Sequence, residues 1–201
     1  MFARLPTVAI IDGPHFYAAT RALGWDVDYK LFPAWLDEAT VAAGSTNLRR
    51  LVYCTALQDE VGADRENPLL GLVRWLGFNG YIVRVKLARE WTEPETGRRR
   101  LRFSSAVELT VAMVEAAEHV AQLVLVTGDG DMTPAVDYVQ RRHGARVVSV
   151  STTRAPDGSM IADSLRAQAD AYLDLADLET QFGKPLAAAR RRLNQGKAST
   201  P

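Results

Sequence analysis

Gln122-Leu123-Val124-Leu125-Val126-Thr127-Gly128-Asp129-Gly130-Asp131-Met132-Thr133-Pro134 decides the fold class. An apolar run of strand length ends at two aspartates set two residues apart, and a helical pattern starts at once. Continuous apolar runs of this kind are strands buried on both faces, which occur in parallel sheets covered by helices. Function in open α/β sheets collects at the carboxyl ends of such strands. Two carboxylates this close repel each other, so either one is protonated or a cation compensates them. Capping of the next helix accounts well for Asp131 and poorly for Asp129. The alternative cap is Thr133, with Pro134 in the first helical position.

The same alternation extends in both directions. Downstream, the helix runs to His143 and stops at Gly144. A strand follows over 145–150, then a loop with Pro156-Asp157-Gly158, a helix through Ser164, Leu165 and Ala169, and a short strand or edge over 172–175. Upstream, Thr7 to Ile11 is a first strand ended by Asp12-Gly13-Pro14, with a helix from His15 to Leu23. A helix within 29–43, a strand over 51–55, a helix opened by Asn67-Pro68 and an alternating strand over 81–87 come next. Glu95-Thr96-Gly97 reads as a hairpin turn, with 98–102 as the return strand. A helix then covers about 105–117. Repeated βα units of this length predict an α/β protein, a Rossmann-like three-layer α/β/α sandwich. Its central sheet is mostly parallel, has about five strands and carries a basic β-hairpin. The domain is expected over 1–183, with a flexible basic tail over 184–201.

Composition sets the limits. The 201 residues carry 24 basic and 24 acidic side chains, so a polyanion must be met by a local patch. A hydrophobic fraction of 47% supplies a core for one domain. Cys54 is the single cysteine, which excludes an intrachain disulfide and points to a reducing cytoplasm. It reads as a small core residue. No apolar run approaches the roughly 20 residues of a membrane span, and no signal peptide is recognisable.

Four acids are candidates for one pocket: Asp12, Glu108, Asp129 and Asp131. Each has an ordinary reading beside it. Asp12-Gly13 is common turn chemistry. Ser105-Ala106-Val107-Glu108 fits a capping box, with Glu108 bonding back to the cap amide. If the first and fourth strands are neighbours, the four carboxylates converge, and their hard oxygens suit Mg²⁺ or Mn²⁺. Such an ion supports in-line attack on a phosphodiester. The chain lacks Cys/His spacing for zinc, a P-loop and a nucleophile elbow.

Val8-Ala9-Ile10-Ile11-Asp12-Gly13, the helix carrying Glu108, and Leu125 to Pro134 followed by Gly144-Ala145-Arg146-Val147 resemble the NYN domain family, including its LabA-like branch. That family belongs to the PIN-like metal-dependent nucleases. The resemblance covers roughly 7–178. It implies a PIN-like parallel sheet between helices and an RNA-cleaving site in which Asp12, Glu108, Asp129 and Asp131 hold one or two Mg²⁺ or Mn²⁺ ions. Departures are visible. Members usually carry Asn where this chain has His15, and Asp where it has Glu108. Some carry a further acid where this chain has Val114.

Candidate substrate contacts surround the acids. His15 is either a helix-start residue or a phosphate contact, and Thr127 and Thr133 flank the paired aspartates. Arg98, Arg99, Arg100 and Arg102 form the densest basic cluster, preceded by Lys86 and Arg89. On a hairpin leading into the Glu108 helix they would overhang the pocket, with Trp91 and Phe103 offering stacking surfaces for unpaired bases. The ordinary reading is a charged edge that blocks strand pairing.

The sequence therefore predicts a cytoplasmic, Mg²⁺- or Mn²⁺-dependent endoribonuclease acting on RNA, single-stranded rather than duplex. A second copy of the chain is a candidate partner, and no membrane is involved. Two other readings stay open. One is a regulatory RNA- or protein-binding module with a weakened site, motivated by His15, Glu108 and Val114. The other is phosphoryl chemistry on DNA or a small molecule.

Overall fold

The computed structural model describes residues 5–42, 46–58, 68–92, 99–102 and 104–186. Its strands are β1 Leu5–Asp12, β2 Trp25–Val27, β3 Thr46–Gln58, β4 Tyr81–Thr92, β5 Arg99–Arg102, β6 Gln122–Val126, β7 Arg146–Ser151, β8 Ala171–Asp174 and β9 Gly183–Pro185. Its helices are α1 Gly13–Ala22, α2 Phe32–Ala42, α3 Pro68–Phe78, α4 Ala106–Ala117, α5 Thr133–His143, α6 Asp163–Gln168 and α7 Glu179–Phe182.

The main sheet has the order β5-β4-β3-β1-β6-β7-β8. Every neighbouring pair is parallel except β4 and β5, which form the expected hairpin. The parallel strands number six rather than about five. The additional strand is β8, whose residues are only half-buried and give a weak apolar signal. β6 is the opposite case, with all five residues buried.

Side-chain alternation along the central strands feeds two cores. Ala9, Ile11, Tyr53, Val124 and Val126 point to one face, where they meet Phe16, Phe32, Trp35 and Leu76 from α1, α2 and α3. Val8, Ile10, Cys54, Leu123 and Leu125 point to the other, where Leu109, Met113, Val136, Val139 and Leu165 cover them from α4, α5 and α6. This is the three-layer sandwich that the βα pattern predicts. Full burial of each such Leu, Ile or Val contributes about 1.5–3 kcal/mol. Cys54 is a core residue, and burial pushes its thiol up to about 12.

The chain starts at β1, moves outward through β3 to β4, then crosses back to place β6 on the other side of β1. Strand order thus reverses between β1 and β6, and a crevice opens at their carboxyl ends. The two strands are in register up to Ile11 and Val126, so Asp12 and Thr127 emerge side by side.

β9 pairs antiparallel with β2 just at the expected boundary near 183. Phe182, just before it, is fully buried against Trp25, Phe32 and Trp35. Residues 187–201, which include most of the expected tail, lie outside the described residues. No helix among the described residues is long and apolar enough to cross a membrane.

Candidate functional site

Asp12 is 5% exposed and sits at the reversal point. Thr127 Oγ1 donates to its Oδ2 at 2.9 Å, and Ser105 Oγ donates to its Oδ1 at 3.0 Å. The backbone N–H of His15 reaches Oδ1 at 3.4 Å, so Asp12 also caps α1, whose first turn contains Pro14. The turn reading of Asp12 therefore holds, and its carboxylate stands at the end of β1 beside Thr127. The donors that reach it among the described residues are all neutral.

The two aspartates after β6 divide their work differently from the sequence expectation. Asp129 is the cap: its Oδ1 accepts the Asp131 N–H at 3.0 Å and closes a 3₁₀ turn over Gly130–Met132. Asp131 is exposed and gives that cap its backbone N–H. The reason is local geometry. Asp129 has extended backbone just before a tight turn, which aims its carboxylate at the N–H two residues on. α5 starts at Thr133 with no side-chain cap. Thr133 Oγ1 instead donates to the Gly130 carbonyl oxygen at 2.8 Å and lies 3.2 Å from Ser164 Oγ.

The capping box at the head of α4 does not form. Ser105 makes no side-chain bond to the helix, because its hydroxyl is taken by the buried carboxylate of Asp12. A charge-assisted bond of that kind is stronger than one to a neutral amide. Ser104 Oγ accepts the Ala106 N–H instead, at 3.3 Å. Glu108 is held by Lys86, with Nζ 3.0 Å from Oε1 and 3.3 Å from Oε2. Lys86 Nζ also donates to the Ser104 carbonyl oxygen at 3.2 Å. Burial dominates the raised Cys54 thiol; Arg84 opposes it, while Asp12 and Glu108 both add to it. Both acids thus lie near enough to Cys54 to be felt by its thiol.

His15 joins the halves of the site. Its Nε2 lies 2.8 Å from Ser151 Oγ at the end of β7. A Cβ at Gly128 would collide with this imidazole and stand 2.6 Å from the Met160 carbonyl oxygen, so only glycine clears the space. Burial pushes the His15 pKa down, while the negative charges of Asp12 and Asp129 pull it up. Burial wins, so the ring is neutral near pH 7 and lies within the field of both carboxylates.

The NYN domain family model matches residues 7–177, most of the chain. The chain belongs to the NYN domain family. It is 33% identical over 175 residues to the low amplitude and bright protein LabA of Synechococcus elongatus, covering 87% of this chain and 86% of that protein. Its fold is similar to the crystal structure of a protein of unknown function from Vibrio parahaemolyticus, with a TM-score of 0.63 and 20% identity. That likeness covers 90% of this chain and 97% of the other. An NYN domain has a PIN-like, nuclease-type fold, and family members of this type commonly use divalent metals.

Among the described residues of this NYN domain, no group of three His, Cys, Asp or Glu side chains is arranged to hold a metal ion. The expected four-carboxylate cluster is thus not assembled as a cage. Lys86 neutralises Glu108, and Asp131 stands in solvent. Two of the four acids remain in the site without a cationic partner among the described residues. Asp12 is a buried carboxylate with only neutral donors around it, and Asp129 acts on the same His15 ring. Mg²⁺ is commonly held by one or two carboxylates, with water and substrate phosphate completing its shell.

The basic hairpin exists in backbone, with Arg89 opposite Arg102 and Trp91 opposite Arg100. Arg98 and Phe103 lie outside the described residues, as do the side chains of Arg89, Trp91, Arg99, Arg100 and Arg102. Two participants were missed by sequence reasoning. Ser105 carried a signal, but it was absorbed by the capping box. Ser151 closes an apolar strand with a polar residue, which is a signal only once His15 is known to face it.

Proposed function

We propose that this NYN domain is a Mg²⁺- or Mn²⁺-dependent endoribonuclease that hydrolyses RNA phosphodiester bonds, with Asp12 and Asp129 as the primary carboxylates. The observation that carries this reading is the meeting of Asp12, Asp129 and neutral His15 where strand order reverses. An ion bound there supplies Lewis acidity to a phosphoryl oxygen. The protein groups do the rest. Asp12 is fixed by Ser105 and Thr127, so its carboxylate is pre-aimed and pays little reorganisation when a charge arrives. His15, neutral and bonded to Ser151, offers one uncharged polar contact to a phosphate without drawing it away from the acids. Arg98, Arg99, Arg100 and Arg102 would hold the strand backbone, with single-stranded RNA as the substrate. Thr127 serves Asp12, and Thr133 is engaged with Gly130, so neither is assigned to substrate.

Glu108 enters only if Lys86 releases it, and Asp131 would act from solvent as an outer carboxylate. That same pairing of Glu108 supports the second reading, an RNA-binding regulatory module whose site is too weakly charged for turnover. End-labelled single-stranded RNA incubated with Mn²⁺ separates them. Cleavage by the wild type that is lost in Asp129→Asn and in chelator supports the nuclease. RNA retained in a gel shift but never cut, at any Mn²⁺ concentration, supports the module.

A further inference from the structure

On the face of the sheet opposite Asp12, a cavity of about 580 Å³ opens at the ends of β1 and β3. Gly13 and Pro14, the two residues after Asp12, form part of its wall. It therefore begins where the acidic site ends. Tyr29 and Tyr53 line it with their hydroxyls 3.4 Å apart, and Leu72 closes one side from α3. Tyr17, 53% exposed, stands at its edge. Tyr29 and Tyr53 meet edge-to-face at 83° and form the floor, while the exposed ring of Tyr17 at the rim offers the face on which a planar ring entering from solvent can stack.

The cavity has one charged wall. Asp26 and Lys184 face each other in the β2–β9 ribbon, where they are register partners, with Nζ 3.9 Å from Oδ2. Asp26 Oδ1 already accepts the Val27 N–H at 2.9 Å, which fixes the carboxylate. The ordinary reading is a cross-strand ion pair. At 3.9 Å, however, the two charges are apart enough to accept a ligand edge that offers donors to one and an acceptor to the other. Among the RNA bases, guanine presents this pattern best. Its N1–H and N2–H₂ give two parallel donors to a carboxylate, and O6 beside them accepts from an ammonium. Adenine offers a single donor to the carboxylate, and uracil offers mostly acceptors.

We propose that this cavity is a base-recognition site that takes an unstacked guanine, placing the adjoining phosphate over the ends of β1 and β6. The inference rests on RNA being the substrate of the acidic site. A strand crossing the carboxyl edge of the sheet meets Asp12 on one face and the tyrosine cavity on the other. Gly13 makes that crossing tight, because a Cβ there would stand 2.5 Å from the Tyr53 ring.

Binding of guanosine, adenosine, cytidine and uridine to the full chain, followed by NMR titration in chelator, tests it without a metal or a scissile bond. Guanosine should bind at least tenfold more tightly than the other three. Asp26→Asn should remove that preference while leaving the weak binding of uridine unchanged. Leu72→Trp, which fills the cavity, should abolish binding of all four, with the amide spectrum confirming a native fold. Equal affinities, no binding of guanosine at millimolar concentration, or a guanosine preference that survives Asp26→Asn would each overturn the proposal. The result is independent of cleavage. Guanosine selectivity with no RNA hydrolysis in Mn²⁺ leaves the pocket standing and removes the nuclease. RNA hydrolysis whose cut positions ignore guanine in wild type and Asp26→Asn alike removes the pocket and leaves the nuclease.

Discussion

Thr127 donates its hydroxyl to Asp12 Oδ2 at 2.9 Å and so ties the end of β6 to the end of β1. Both residues are buried, and Thr127 Oγ1 also accepts the Asp129 N–H at 3.3 Å. Thr127→Val keeps the shape but removes a bond to a charged group, worth about 1.5–3 kcal/mol. Thr127→Ser should recover most of that loss. Urea unfolding of the three proteins measures it, and an unchanged midpoint in Thr127→Val would contradict the tie.

Gly128 is needed for clearance, not for an unusual backbone angle. Gly128→Ala should cost about 1–3 kcal/mol through overpacking against His15 and the Met160 carbonyl. Because one of the two obstacles is a side chain, His15→Ala should relieve part of the cost. A double-mutant cycle in urea should show coupling of about 0.5–3 kcal/mol, and strict additivity would refute the contact.

Glu108 is masked by Lys86, an ion pair whose partners are 27% and 38% exposed. Lys86→Met should change stability by less than about 1 kcal/mol, as for other solvated pairs. It removes a positive charge beside the acids, however, an effect on the order of 1–2 kcal/mol at an effective dielectric near 20. Mn²⁺ affinity should therefore rise by about tenfold. Calorimetric titration showing equal or weaker binding would mean that Glu108 plays no part at the metal.

Asp174 ends β8 as Asp12 ends β1, but its role is structural. Burial pushes its pKa up; bonds from the Ala176 N–H and from Thr152 and Thr153 outweigh that and bring it down to about 2. Arg154 also lies 3.3 Å away. A carboxyl lowered from an unfolded value near 3.9 stabilises the fold above that pH, and the benefit is lost as pH falls toward 2. Urea unfolding of wild type and Asp174→Asn should differ most at neutral pH and converge between about pH 4 and 2. A gap independent of pH would contradict the shift.

Much of this was legible in the chain because burial leaves a local mark. The all-apolar β6, the glycine stop at Gly144, and the Asp12-Gly13 and Gly128-Asp129 junctions marked the sandwich and the family, whereas the adjacency of β1 and β6 stood only as a condition until their pairing was seen. Legibility failed where two roles compete for one group. Ser105 and Glu108 satisfy a capping pattern, yet a buried carboxylate and a lysine from β4 take them. Asp129 and Asp131 exchanged their expected capping roles because a 3₁₀ turn, not α5, begins at Gly130. β8 was weak because its residues are half-buried. Phe182 lies past the family match, and nothing local shows that its ring fills the aromatic core under α2.

The most direct measurement is Mn²⁺ uptake, read from loss of the free-ion electron paramagnetic resonance signal, in wild type, Asp12→Asn and Asp129→Asn. The wild type should bind Mn²⁺, and each variant should weaken binding by about tenfold or more, since each removes a unit charge from the site. A wild type that leaves the free-ion signal intact at millimolar Mn²⁺, or an Asp129→Asn variant that binds as tightly as wild type, would contradict a cation held between Asp12 and Asp129.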